Sequence, residues 1–323
     1  MRRRQKKRLA KLALLVFLSV CVPIWLVRGC LLALHPAEED GGEEDCAAGP
    51  AISVFDSDKN AVVSMALEEY LVGVVAAEIP SSYEPEALRA QAVAARTYAV
   101  RSMVCYGGKG CSFGGDICTS SSHCQAYLSP ASFSGTEKER RVRAAVESTF
   151  GEVILYDDEP IEAVFHSTAG GWTEDSENAF SSALPYLRSV QSDETEAPRY
   201  ENERTVGRSE FVKKLNRNFS ANLRESRLED QIEVLSRFPS GRIDRLRAGD
   251  AGLSGKELRK LFSLDSTNVT FEFTDDSVVL HTRGFGHGVG MSQTGAQQLA
   301  KEGWSYRQIL SYYYTGVTLG KYY

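Results

Sequence analysis

Apolar and polar positions change their spacing repeatedly along this 323-residue chain, and each change marks an element. An uncharged run extends from Leu12 to Val27. Ile52–Phe55 and Ala61–Val63 read as short strands around the turn DSDKN. The segment MALEEYLVGVVAAE (Met65–Glu78) has helical spacing and stops at Ile79-Pro80. A second helix is predicted from Glu84 to Val104, with Pro85 in its first turn. Residues 105–125, rich in glycine and serine, carry no period. Further on, the pattern predicts a helix over Val142–Ser148, strands at Glu152–Tyr156 and Ile161–His166, and an extended piece at Pro185–Val190. A helix near Glu210–Asn216 and a hairpin of Ile232–Arg237 with Arg242–Arg247 follow. Gly255–Phe262 reads as helix, and Asn268–Phe273 and Ser277–His281 as strands. The turn-rich GFGHGVG (Gly284–Gly290) leads into helices near Gln293–Glu302 and Tyr306–Tyr313. Strands and helices mix without strict alternation, which predicts an α+β fold.

Charge divides the chain. Eight Lys/Arg and no acid fall within residues 1–28, so the remaining residues carry 29 basic against 43 acidic side chains, a net charge of -14. So acidic a body repels phosphodiester backbones and excludes nucleic acid as a partner. The basic cluster RRRQKKR precedes the sixteen-residue run Leu12–Val27, which Leu31–Leu34 extend. No small-x-small cleavage site follows, and Arg28 stands where a lipoprotein signal needs a small residue before Cys30. The reading is a retained signal anchor over residues 12–34, with the basic segment 1–11 in the cytoplasm and the rest outside. AEEDGGEED (Ala37–Asp45) self-repels and makes 35–50 an acidic stalk. Residues 51–323 form the folded body, read as two lobes (51–190 and 231–323) around a charged insertion at 191–230.

Glu78 closes an apolar helix at a corner just before a proline. Four small or apolar neighbours and Ile79 desolvate it, and desolvation raises a carboxyl pKa towards general-acid work. On the next helix Arg96 shares a stripe with Leu88, Ala92, Ala99 and Met103. A lone Arg there is either a buried ion pair or a guanidinium aimed into the cleft beside Glu78. Ala90, Ala92, Ala94 and Ala95 permit close approach, so this helix is expected to be covered on more than one side.

Cys111, Cys118, His123 and Cys124 offer three thiolates and an imidazole, the donor set of a structural zinc site. Disulfides, with Cys105 as a further candidate, are the alternative outside the cytoplasm. The cluster His166-Ser167-Thr168 lacks a nucleophile elbow, which argues against a serine hydrolase. His287, in the glycine-rich turn, fits either a ligand contact or a buried turn. Trp172 is a candidate sugar contact, and Tyr312–Tyr314 read as core.

These residues carry a resemblance. MALEEYLVGVVAAEIPSSYEPEALRAQAVAARTYAV, HCQAY, FHSTAGGWTED, PYLRSV, LSGKELRKLF and GFGHGVGMSQTGAQQLA follow one another as in the stage II sporulation protein D family, over nearly all of residues 52–323. The resemblance implies a peptidoglycan lytic transglycosylase, acting on glycan strands already stripped of stem peptides. It implies Glu78 as catalytic acid/base, with Arg96, Tyr186, Arg188, His166, Ser167 and Thr168 at the substrate. Arg188 stands where Lys is frequent. Some family members bind zinc in the cysteine loop through two His and two Cys; here the first His is missing near Ser112, beside Cys111. The resemblance further implies work in engulfment during endospore formation, from the mother-cell membrane into the intermembrane space, with stage II sporulation proteins P and M as partners. Two other functions compete: a noncatalytic wall-binding module that stimulates an amidase, and a zinc hydrolase centred on Cys118, His123 and Cys124. Three thiolates suit a closed structural site and disfavour the latter.

Overall fold

Alternation in AISVFD and AVVSMA builds a hairpin in which β1 (Ala51–Asp56) pairs antiparallel with β2 (Ala61–Ala66), Ile52 opposite Met65. This is the start of the computed structural model, which describes residues 49–323. The chain passes directly into α1 (Leu67–Glu78). Ile79 then turns extended, φ -129°, because the ring of Pro80 disfavours helical backbone at the residue before it. Helix α2 (Pro85–Ser102) starts on a proline that has no N–H to leave unpaired. After the glycine-rich loop, β3 (Ile117–Cys118) joins β1 in parallel. Helix α3 (Glu137–Ser148) follows, capped by the Thr136 hydroxyl.

Two cores share α2. Tyr70, Leu71 and Val74 of α1 meet Leu88, Ala95 and Val100 of α2 in the first. The alanine-rich face, Ala87, Ala90 and Ala94, enters the second with Ile309, Leu310 and Tyr313 from the C-terminal end of the chain. The helix is covered on two sides, and its small residues permit that.

Next come β4 (Glu152–Tyr156) and β5 (Glu159–Pro160), the two-residue strands β6 (Phe165–His166) and β7 (Gly171–Trp172), the one-turn α4 (Ser176–Ala179) and β8 (Gln191–Ser192). The strand expected over Ile161–His166 is confined to β6, and Pro185–Val190 belongs to no ladder. A third core begins with β9 (Glu201–Gly207), α5 (Arg208–Phe219) and the single turn α6 (Leu228–Gln231). It continues through β10 (Ile232–Arg237), β11 (Ile243–Ala248), β12 (Ala251–Ser254), α7 (Gly255–Phe262), β13 (Asn268–Phe273) and β14 (Ser277–Arg283). The sheet order β13-β14-β9 brings in a strand that its charged sequence ENERTVG hides. Residues 191–230 thus supply Val206, Phe211, Leu215 and Leu228 to this core. The chain closes with β15 (Met291–Ser292), α8 (Gln293–Lys301), α9 (Tyr306–Tyr313) and β16 (Thr318–Lys321), which returns to β4.

The mixture is α+β, as expected. The anchor at 12–34 and most of the stalk lie outside the described residues. Among the described residues no helix is long and apolar enough to cross a membrane.

Candidate active site at the end of the first helix

Glu78 is half-buried at the last position of α1 and lines a cleft of about 620 Å³. The backbone N–H of Ala126 donates to its Oε1 at 2.6 Å. Burial pushes the carboxyl above its ordinary range, and the Ala126 bond partly opposes that. Ala126 is held in turn: Leu128 N–H donates to the Gly73 carbonyl at 3.1 Å, and the Tyr70 hydroxyl donates to Gln125 Oε1 at 3.3 Å. Gly73 is required in this helix because a Cβ there would lie 2.7 Å from the Leu128 carbonyl oxygen.

The opposite wall comes from far along the chain. β6 pairs in parallel with β15, Phe165 opposite Met291, and Thr168 bridges Phe285. This pairing brings Ser167 and Thr168 to the Glu78 cleft together with Thr294, whose N–H donates to the Ser167 carbonyl at 3.0 Å. Buried Glu194 fixes that wall: its Oε2 accepts from Ala169 N–H at 2.9 Å, from the Ser292 hydroxyl at 3.0 Å and from the Thr294 hydroxyl. Lys138 and Arg199 add cations at the cleft. Glu194, Lys138 and Arg199 escape the sequence reading, because they stand in charged segments whose spacing with Glu78 carries no signal.

The other expected site residues stand elsewhere. Arg96 is fully buried and does not line the cleft; it takes the ion-pair alternative. Nε and Nη2 each donate to Glu68 at 2.7 Å, and the remaining donors reach Thr149 Oγ1 and the carbonyls of Val146 and Glu152. Glu68 lies ten residues before Glu78, about 15 Å back along α1. Tyr186 is buried in the second core, its hydroxyl accepting from Glu162 N–H at 3.2 Å. Arg188 pairs with Glu177 at 2.9 Å, beside Asp175. His166 is buried, its Nδ1 3.1 Å from the Val289 carbonyl, and its pKa is held well below that of a free imidazole, first by burial and then by His287. The His287 ring stands 5.6 Å from that of His166 and is likewise depressed by burial, to about 4.

The cysteine loop gathers as its donors suggest. The ligand atoms of Cys111, Cys118, His123 and Cys124 lie within 4.8 Å of one another. His123 Nδ1 is 3.5 Å from the sulfurs of Cys111 and Cys118 and 3.2 Å from that of Cys124, while Nε2 meets Ser112 Oγ at 3.1 Å. Cys111 and Cys124 sulfurs are 3.9 Å apart, well beyond disulfide length.

Comparison with known proteins bears on this arrangement. A family model described as stage II sporulation protein matches residues 56–156, from the first hairpin through Glu78 and the cysteine loop to β4. Stage II sporulation protein D of Bacillus subtilis (strain 168) is 35% identical over 288 residues, 87% of this chain and 82% of that protein. Its counterpart in Bacillus amyloliquefaciens is 32% identical over 330 residues, 97% of this chain and 94% of its own. The amidase enhancer of Bacillus subtilis (strain 168) is 26% identical over 303 residues, which cover 78% of this chain and 40% of that protein. The class is that of the sporulation proteins. Within it, this chain belongs to the stage II sporulation protein D family.

Proposed function

We propose that the protein is a membrane-anchored lytic transglycosylase that cleaves MurNAc–GlcNAc bonds of peptide-free glycan strands during engulfment. The observation that carries this reading is Glu78: one desolvated carboxyl, oriented by a single backbone N–H, at the wall of a cleft that Ser167 and Thr168 face. Lytic cleavage needs one such group. Protonated Glu78 gives its proton to the glycosidic oxygen as the C1–O bond breaks. The carboxylate so formed takes the proton of the C6 hydroxyl while that oxygen closes on C1, leaving a 1,6-anhydro end and restoring the acid. Ser167 and Thr294 offer hydroxyls to the sugar, and the fully buried Thr168 backs them. Arg96 acts here by holding α1 against α2 and α3. Basic residues ahead of the apolar run anchor the chain with its body outside the cytoplasm, where stage II sporulation proteins P and M are the proposed partners.

Three cysteine sulfurs and an imidazole oriented by Ser112 form a donor set that fits zinc, and Cys111, Cys118, His123 and Cys124 would hold it. Such an ion would cross-link the loop that ends at Ala126 and would take no part in the reaction.

The test is incubation of the full chain with peptide-free strands and mass analysis of the fragments. Anhydro-ended products that Glu78→Gln abolishes support the reading; hydrolytic ends or undiminished activity refute it. The second reading, a noncatalytic module that stimulates an amidase, draws on the relative named amidase enhancer and predicts strand binding without products.

A further inference from the structure

A second hollow, of about 660 Å³, opens where α7 and β11 meet the glycine-rich turn. Lys256, Arg259 and Lys260 of α7 and Arg242 border it, over apolar lining from Phe238, Ile243 and Leu264. Among the described residues none of these four cations stands in a salt bridge. Three acids also border it, all hydrogen-bonded, but only Glu177 to a cation. Glu174 accepts from Asp175 N–H, Asn178 Nδ2 and the Ser240 hydroxyl. Glu177 pairs with Arg188, and Asp244 accepts from the Ser236 hydroxyl at 2.8 Å.

Arg242 is the informative member. It is 2% exposed, and its Nη atoms donate to the carbonyls of Trp172 at 2.8 Å and Ala169 at 2.6 Å, while Nε has no partner. Carbonyl bonds orient a guanidinium without neutralising it. Gly288, at φ +83°, makes room for it, since a Cβ there would lie 2.3 Å from Arg242 Nη2. Burying a cation is costly; the charges of Glu174 and Glu194 offset part of that cost from a distance, but among the described residues no carboxylate in a body of net charge -14 pairs with Arg242 directly. Two exposed aromatic rings stand beside the hollow. Trp172 carries the carbonyl that Arg242 grips, and Phe180 lies 5.3 Å from the ring of His287, which lines the site. Exposed ring faces suit the apolar C–H face of a sugar, and unpaired cations suit an acid on that sugar.

We infer that this hollow is a second glycan subsite that binds the free lactyl carboxylate of a peptide-free muramic acid residue. The inference rests on the reading that the substrate is a peptidoglycan strand. Hydrolysis of the amide between lactyl group and stem peptide exposes a carboxylate on every second sugar, where an intact strand carries a neutral amide and a bulky peptide. One backbone segment links the two sites: Ser167 and Thr168 face Glu78, and the next residue, Ala169, holds Arg242. A strand anchored by its charge here is thereby registered against the acid, which gives a physical basis for preferring stripped strands.

Binding by the full chain carrying Glu78→Gln tests this with three polymers: peptide-free strands, the same strands with carboxylates converted to methylamides, and poly(glycerol phosphate). Acid strands are expected to bind at least about tenfold tighter than amidated ones, and Lys256→Gln with Lys260→Gln to bring the two within about twofold. Both lysines are exposed, so their replacement does not threaten the fold. Equal binding of acid and amidated strands overturns the inference, as does a preference that survives the double variant. Tighter binding of poly(glycerol phosphate), lost in the same variant, also overturns it and assigns the hollow to a phosphate polymer. Product analysis with Glu78 intact is scored apart. Anhydro ends without charge preference sink the subsite alone; charge preference without anhydro ends sinks the transglycosylase alone.

Discussion

Ala126 and Glu78, 48 positions apart in sequence, meet through one hydrogen bond of 2.6 Å from the backbone N–H of the first to Oε1 of the second. The bond fixes the direction of a carboxyl that would otherwise swing at a helix end. It also restrains how far burial can raise the pKa, since it favours the charged form.

That balance sets the pH response. In the proposed mechanism the first step uses protonated Glu78, so kcat/KM is expected to be high at low pH and to fall as the acid ionises. With the carboxyl raised above 4.5, the descending limb lies on the alkaline side of that value. Glu78→Asp, which withdraws the group by one methylene, should cost about 100-fold or more. Rates of anhydro-end formation across the pH range measure both, and a profile flat through that limb contradicts the assignment.

Arg96 gives the opposite signature. Replacing it with Ala leaves Glu68 partly buried beside the Tyr323 hydroxyl and strands the carbonyls of Val146 and Glu152. The expected loss is about 3–5 kcal/mol in urea unfolding, with activity falling only as the folded fraction falls. Lost turnover at unchanged stability would place Arg96 at the substrate instead.

Gly73→Ala addresses the support of the acid. The new methyl meets the Leu128 carbonyl and the Tyr127 ring, and it must push the 125–128 segment off α1. Loss of about 1–3 kcal/mol is expected, together with a drop in kcat larger than that in substrate affinity. A variant as active as the parent would show that the segment does not position Glu78.

The cysteine cluster is expected to hold one zinc per chain by elemental analysis. Cys118→Ser, or a strong chelator, should lower Tm by roughly 5–10 °C while the surviving folded protein still yields anhydro ends. Metal-free protein with an unchanged Tm would refute a metal staple.

Acid should loosen the histidine pair. His287 is held near 4 when folded, against 6.5 for the free side chain, mainly by burial and further by Arg259 and Arg242. The unfolded state therefore binds more protons between these values. Its contribution is complete above about 6.5 and is lost as pH falls towards 4, on the order of 3 kcal/mol. His287→Asn should flatten the fall of Tm between pH 7 and 5, and an unaltered slope would contradict the argument.

Much of this architecture is legible in the sequence, for physical reasons. The apolar run ending at Ile79-Pro80 locates Glu78 at a corner because proline constrains its neighbour. Clear alternation reveals β10, β11, β13 and β14. Strand β9 stays hidden because exposed positions along it are filled by charge, leaving Val206 as its deeply buried side chain. For Arg96 the stripe announces burial and leaves the partner open, since Glu68 lies one helix away. The hydroxyl wall at Ser167 and Thr168 is visible as composition, yet its place opposite Glu78 follows from pairing with residues more than a hundred positions later. Glu194 and Arg199 depend wholly on that closure, and Lys138 on the packing of α3 against α1.

The Ala126 peptide also couples the orientation of Glu78 to the glycine-rich loop. Cys124 is two positions away, so whatever sets the order of the sulfur cluster sets the aim of the Glu78 carboxyl. Under the proposed function, loss of order in that cluster would blunt each encounter with the wall, beyond shortening the protein's lifetime.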